Sequence, residues 1–301
     1  MTKPFTVYYS DSYVAASHEF DTTRKAKHVA DALRPSVACG ALDLAAPYVT
    51  YDVTAIHDPE YVKAVLLGAP DHLAESQGFP WDSELPVMVQ AHTDGLVSAV
   101  HDVWFGAQSR GGSLSSGLHH AARRYGGGFC TFNGLAAAAA QAFDLGYERV
   151  LSLDFDAHCG GGTYDIMHHD PRWTQIDVSV SAFDAYQPDR RHRLVVTDAA
   201  NYMTEIAAAL EVVRAEPWDL IIYNAGMDPI NCGVDQRTLH LREMLVSEII
   251  GDTDAIFALA GGYTWGGVTM DELVELHTAT IYEWAAYGTG GVWVEPPAAV
   301  S

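Results

Sequence analysis

The sequence predicts an α/β fold, with a central, mostly parallel β-sheet flanked by helices on both faces. Three observations carry that prediction. Short β-rich runs alternate with amphipathic helical stretches, the order that a parallel sheet with crossover helices requires. The runs RVLSL (149–153) and WDLIIY (218–223) are nearly continuous in apolar residues, as in strands buried on both faces. The 301 residues, 49% hydrophobic and 19% charged, are enough for a sizeable core. There is no internal repeat, low-complexity segment or Pro/Gly/Ser linker to divide the chain, so residues 1–301 read as one domain.

The elements follow in order. FTVYYS (5–10) reads as a strand and residues 22–33 as a helix. YVTYDV (48–53) reads as a strand. DPEYVKAVLLG (58–68) is a short helix whose Asp58 and Pro59 suit its N-terminus. Residues 84–106 make a long helix, and GGSLSSG (111–117) a strand of small residues. NGLAAAAAQAFDLG (133–146) is Ala-rich, helical and closed by Gly146. Strands are expected at 149–156, 175–181, 218–226 and 254–262, and helices at 199–214, 240–250 and 270–287. TYDIMHHDPRW (163–173) reads as a helix and turn ended near Pro171.

Charge narrows the function. Seventeen basic against 39 acidic residues give −22. Such a chain repels nucleic acid and anionic membrane, both of which are bound through Lys and Arg. An acidic surface also aids solubility, so it is only weak evidence for a cationic substrate. The start, MTKPFTVYYSDSYV, has no apolar segment of a signal peptide, and no run approaches a membrane span. Cys39, Cys130, Cys159 and Cys232 lack CxxC spacing, which argues against a zinc knuckle or disulfide framework and for a reducing cytoplasm. HCGGGT (158–163) lacks the Lys of a phosphate-binding loop.

The chemistry collects at strand ends, where open parallel sheets bind ligands. His119 and His120 follow one strand; Asp154, Asp156 and His158 follow another; Asp228 and Tyr263 follow two more. In extended chain, residues i, i+2 and i+4 face the same way, so the Asp-x-Asp-x-His of 154–158 can converge. Two carboxylates and an imidazole suit zinc or another first-row divalent ion. A catalytic zinc takes three protein ligands and keeps one position open, which Asp156, His158 and Asp228 would satisfy, with Asp154 behind them. An acidic loop at a strand end, with no metal, is the plainer reading of that triplet alone.

Five ordered stretches carry a resemblance: SSGLHHA (115–121), GGGFCTFNGLAAA (126–138), LDFDAHCGGGT (153–163), NAGMDP (224–229) and LAGGYTW (259–265). Together they resemble the zinc-dependent histone deacetylase family, in its short bacterial form, and imply its arginase–deacetylase fold. The resemblance implies that Asp156, His158 and Asp228 ligate zinc. It makes His120 the general base and later acid, His119 an electrostatic support and Asp154 the residue that orients His119. Tyr263 would donate to the carbonyl oxygen. Gly128, Phe129, Gly261 and Gly262 would line the substrate tunnel. A structural potassium ion would sit on Asp154, the backbone of Asp156 and His158, Ser179 and the carbonyl of Val180. The implied reaction is hydrolysis of an acylated amine, either a small molecule or a peptide, releasing acetate or another short acid.

Three departures qualify this. The resembled family usually orients its second tandem His through an Asp or Asn three residues after the metal His; here that position is Gly161, which leaves His120 without its expected partner unless a water or a distant carboxylate substitutes. Cys159 stands where a second His is usual, and alternation along extended chain points it away from the metal. The chain is also short, and QGFPWDSELP (77–86) is expected to form a rim of its own, with Trp81 either shaping the entrance or anchoring the core. His168 and His169 are expected to play no metal role. Two alternatives stand beside the hydrolase. One is a binding protein whose catalysis has lapsed with the partner of His120. The other is a two-manganese ureohydrolase, which would want a carboxylate where Gly160 stands.

Overall fold

The computed structural model describes residues 4–287, apart from Glu19 and Ala107. Strand β1 (Phe5–Tyr8) leads into helix α1 (Asp21–Ala38) and strand β2 (Leu42–Ala45). Helices α2 (Pro59–Leu67), α3 (Asp71–Ala74) and α4 (Leu85–Phe105) precede β3 (Arg110–Ser113). Then come α5 (Gly134–Leu145), β4 (Val150–Asp154), α6 (Gly161–Met167), β5 (Trp173–Ser179) and β6 (Arg193–Val196). The chain continues through α7 (Tyr202–Ala215), β7 (Leu220–Gly226), α8 (Gln236–Ile250), β8 (Asp254–Ala260) and α9 (Met270–Tyr287).

The strands form one eight-stranded sheet in the order β2-β1-β3-β8-β7-β4-β5-β6, and every neighbouring pair is parallel. Successive side chains of the central strands go to opposite faces. Ile222 and Ile256 join Leu96, Val97 and Ala136–Ala139 of α4 and α5 on one side. Ile221, Tyr223, Ala255 and Phe257 join Val29 and Leu33 of α1, Leu210 of α7, Leu239 of α8 and Trp284 of α9 on the other. The sheet is therefore covered twice, as its apolar strands require.

Three expectations are corrected. Residues 48–53 are not a strand. The Tyr48 and Val49 N–H groups donate to Ser98 Oγ at 3.0 and 3.1 Å, and that of Tyr51 to Asp94 Oδ1 at 2.9 Å, so side chains of α4 take the donors a sheet would have used. The strand beside β1 is β2 instead. The first helix runs on from residue 33 to Ala38, with Pro35 in its final turn. Strand β6, a half-exposed edge of four residues, has no counterpart in the sequence reading. Among the described residues, no helix is long and apolar enough to cross a membrane.

Candidate active site

The sheet delivers four groups to its C-terminal rim. Asp154 ends β4, and Asp156 and His158 follow directly. Asp228 lies two residues beyond β7, Tyr263 three beyond β8, and His119 and His120 six and seven beyond β3. Carboxylates tie the turn after β4 together: Asp154 Oδ1 accepts from Asp156 N (3.1 Å), Asp156 Oδ1 from His158 N (3.0 Å), and Asp228 Oδ1 from Ala157 N (2.8 Å). These bonds replace ladder partners the backbone has left behind and fix where the side chains point.

Asp156, His158 and Asp228 each offer a ligand atom, and the three atoms lie within 4.8 Å of one another. His158 Nδ1 is 2.9 Å from Asp228 Oδ2 and 3.3 Å from Asp156 Oδ1. Both carboxylates are buried, while the imidazole is partly open to the pocket. Burial opposes charge here, yet the two carboxylates raise His158 to about 11, and burial with the adjacent Asp156 raises Asp228 to about 6. The site thus concentrates negative potential where one cation fits, and its two oxygens and one nitrogen are donors a borderline divalent ion accepts. Gly261, with φ +54°, passes directly beneath. A Cβ there would come within 2.8 Å of both carboxylates, so only glycine allows the backbone this close.

The rings of the tandem histidines lie tilted against each other, with centroids 3.9 Å apart, and differ sharply. His119 Nδ1 is 2.7 Å from Asp154 Oδ2, and Asn224 Nδ2 donates to the other oxygen of Asp154 at 2.9 Å. Burial works against its charge, but Asp154 and Asp156 outweigh it and raise His119 to about 10. Burial and the neighbouring His119 push His120 down to about 4. His120 nevertheless has a partner, the distant carboxylate that Gly161 left room to expect: Asp184 Oδ2 lies 2.9 Å from its Nδ1.

Tyr263 is buried beside the carboxylates. Burial, Asp228 and Asp156 all raise its phenol, so it remains a proton donor. Asn231 fixes it by accepting from Tyr263 N at 3.0 Å and donating to Tyr263 O at 2.8 Å. Its ring stacks on Trp265 with centroids 4.2 Å apart. One pocket is lined by His119, His120, Phe129, Asp156, His158, Asp228, Gly261 and Tyr263. Gly128 lines it too, but Gly262 does not face it: a side chain there would meet Leu273, Met227 and His277.

Several residues of this site were not foreseen. Phe183, 51% exposed, sets its ring edge-on to two pocket residues, His120 (4.9 Å) and His158 (5.8 Å). Phe20 packs 4.5 Å from Phe129. Lys25, fully buried, donates to the carbonyl of Gly261; burial lowers it to about 8 against the pull of Asp156 and Asp228. A lysine on the inner face of an amphipathic helix was the one available signal. Ser179 Oγ donates to the carbonyl of His158 at 3.0 Å, bringing together two of the groups expected around potassium, and Val180 N meets Ala157 O. Cys159 is buried with Sγ toward the Ser181 carbonyl, away from the metal cluster. His168 bonds its own helix through the Tyr164 carbonyl, and neither it nor His169 joins the cluster. Trp81 is an anchor, donating from Nε1 to Val65 O at 2.7 Å. Its neighbour Phe79 reaches Phe129 at 5.0 Å.

A parallel eight-stranded sheet that carries this constellation at its C-terminal rim defines the arginase–deacetylase class of α/β proteins. The histone deacetylase domain profile matches residues 19–188, more than half the sequence, and the chain belongs to that family. It is similar to acetylpolyamine amidohydrolase 2 of Pseudomonas aeruginosa, 32% identical over 172 residues that cover 48% of each protein. It is also similar to the acetoin utilization protein AcuC of Bacillus subtilis, 29% identical over 130 residues, covering 40% of this chain and 33% of AcuC. The chain thus spans about half the length, or less, of these curated relatives. Among solved structures, the HDA15 HD domain superposes with a TM-score of 0.76 at 18% identity, over 98% of this chain and 92% of that one. The acetylpolyamine aminohydrolase of Burkholderia pseudomallei gives 0.75 at 15% identity, over 94% and 99%. These two structural likenesses establish the fold.

Proposed function

We propose that the chain is a zinc-dependent amidohydrolase that removes an acetyl or other short acyl group from an amine. One observation carries the reading: a buried Asp156–His158–Asp228 cluster shares a pocket with Tyr263 and a polarised pair of histidines. Family membership supports deacetylation, and the acylated amine is either a small molecule or a peptide.

Asp156, His158 and Asp228 would hold the ion. When bound, zinc supplies a Lewis acid for the amide carbonyl and acidifies an attacking water. His120 Nε2 takes the proton of that water and returns it to the leaving amine. Its low pKa keeps the ring neutral, the form a base needs. His119, held by Asp154, keeps its proton more tightly and stabilises negative charge beside it. Tyr263 donates its phenol proton in a hydrogen bond to the carbonyl oxygen as charge develops there. Phe129, which lines the pocket, would form one wall for a linear acyl-amine chain. Asp154, Ser179 and the carbonyls of Asp156, His158 and Val180 would hold potassium as a structural ion. Residues 1–301 would make one catalytic domain, acting in the cytoplasm, where the four free thiols are stable.

The ureohydrolase reading is disfavoured by crowding. A side chain at Gly160 would fall within 3.2 Å of Gln175, Asp154 and Asp177, leaving no room for a further metal carboxylate. Metal analysis together with a panel of acyl-amines tests the proposal. One zinc per chain and release of a short acid are expected. Two manganese ions with urea release, or zinc binding with no turnover on any member, would sink it.

A further inference from the structure

The loop after β5 does something that neither the sequence reading nor family membership assigns. Its dipeptide Phe183–Asp184 meets His120 twice. The Phe183 ring stands edge-on at 4.9 Å, and the Asp184 carboxylate bonds Nδ1 at 2.9 Å. Consecutive side chains in extended backbone point opposite ways. Asp184 escapes that rule by adopting φ +60°, a left-handed conformation that non-glycine residues seldom take. Asp184 is also held from beyond His120, because Gly162 N donates to the same Oδ2 at 3.0 Å. The loop backbone is pinned nearby, where Cys159 N donates to Phe183 O at 3.0 Å.

Gly161 is the other half of the arrangement. A Cβ at this position would lie 2.2 Å from the Asp184 carbonyl oxygen and 2.4 Å from its Oδ1. Any side chain there would occupy the volume that Asp184 fills. The glycine is therefore no deletion of a partner for His120. It is the opening through which a carboxylate 23 positions further along the chain reaches the same ring.

We propose that Asp184 is the positioning residue for His120, fixing its Nδ1–H tautomer so that Nε2 is free to take a proton, and that Gly161 is glycine to admit it. This rests on the hydrolase reading for its catalytic consequence, though not for its geometry. The lapsed-catalysis alternative loses its ground, since it depended on His120 lacking a partner.

The test uses the full chain loaded with zinc. Asp184→Ala should lower kcat about 10- to 100-fold, the usual effect of removing a partner that orients an active-site histidine, with KM within about threefold. Asp184→Asn keeps an acceptor and tolerates the left-handed backbone, so it should fold as the parent does and retain part of the lost rate. Gly161→Ala, a favourable change for the helix it starts, should nonetheless reproduce the Asp184→Ala defect by displacing the loop. Histidine side-chain nitrogen NMR supplies a second readout. The parent should show a His120 Nδ1 proton bonded to carboxylate, and Asp184→Ala should lose it. An unchanged His120 tautomer in Asp184→Ala, or kcat within twofold of the parent, overturns the proposal. If the parent itself hydrolyses no acyl-amine, the hydrolase reading fails, while the tautomer measurement still decides the role of Asp184.

Discussion

Two buried charge clusters lie against the same strand ends and could hardly be more different. In the first, Arg242 and Glu243 are fully buried and closed on themselves. Arg242 donates from Nε to Glu243 (2.7 Å) and from Nη1 to the carbonyls of Phe155 (3.0 Å) and Gly226 (2.7 Å). Tyr223 and Thr280 donate to the two oxygens of Glu243 at 2.7 and 2.8 Å. In the second, Asp156 and Asp228 crowd one imidazole and open onto a pocket. The first balances its charge and hydrogen bonds internally; the second leaves negative potential unspent. Phe155 and Gly226 adjoin the two ligand turns, so the closed cluster is the scaffold that holds the open one. A buried charge group is a candidate site when it is left electrostatically incomplete, not merely because it is buried.

The contrast can be broken by mutation. The largest effect should come from Asp228→Asn, which removes a ligand: zinc binding and amide hydrolysis should fall by three orders of magnitude or more, while the metal-free chain melts within a few degrees of the parent. Full zinc occupancy by elemental analysis would remove Asp228 from the ligand set. Arg242→Leu should act the opposite way. It strands Glu243 in the core and should cost about 3–5 kcal/mol in urea unfolding; a loss below about 1 kcal/mol would mean the cluster is not a scaffold. Tyr263→Phe should leave zinc content and stability intact and lower kcat about 10²-fold. An unchanged kcat would take Tyr263 out of the mechanism. The last effect is linked to pH. In the metal-free chain, His158 and His119 are raised to about 11 and 10, above the ordinary histidine value near 6.5. Between those limits the folded state holds protons that the unfolded chain has released. That stabilisation is complete below about pH 6.5 and is lost as pH rises through 10 to 11. Melting temperature should therefore drop more from pH 7 to pH 10 in chelated protein than in zinc-loaded protein. Equal drops would show that the open cluster does not hold the extra protons.

Much of this was legible in the sequence because it is local. Asp154, Asp156 and His158 sit at a spacing that extended backbone turns into one face, and the apolar runs of β4, β7 and β8 identified the strands that carry the rim. What escaped depends on contacts between distant segments. Asp184 was passed over because nothing local distinguishes a loop aspartate that reaches residue 120 from one that faces water. Lys25 looks like an ordinary helix lysine until the turn at Gly261 is laid over it. Residues 48–53 carry β-branched and aromatic residues in strand-like order, yet Ser98 and Asp94 capture their N–H groups first. Strand β6 is a half-exposed edge whose RLVV lacks the long apolar signature of the central strands.

Strand β8 has a consequence in time rather than in space. It is the last strand of the described chain, yet it lies between β3 and β7 near the middle of the sheet. Until residues 254–260 leave the ribosome, β2-β1-β3 and β7-β4-β5-β6 are two separate half-sheets, each with a raw edge where β8 belongs. Pairings this distant in sequence form slowly, and open edges invite pairing with other chains. Chaperone dependence during synthesis should therefore be greatest just before β8 emerges. Truncation within β8 should yield aggregates rather than a shortened protein, and Tyr263, which follows the strand by three residues, can reach the pocket only once the two halves have joined.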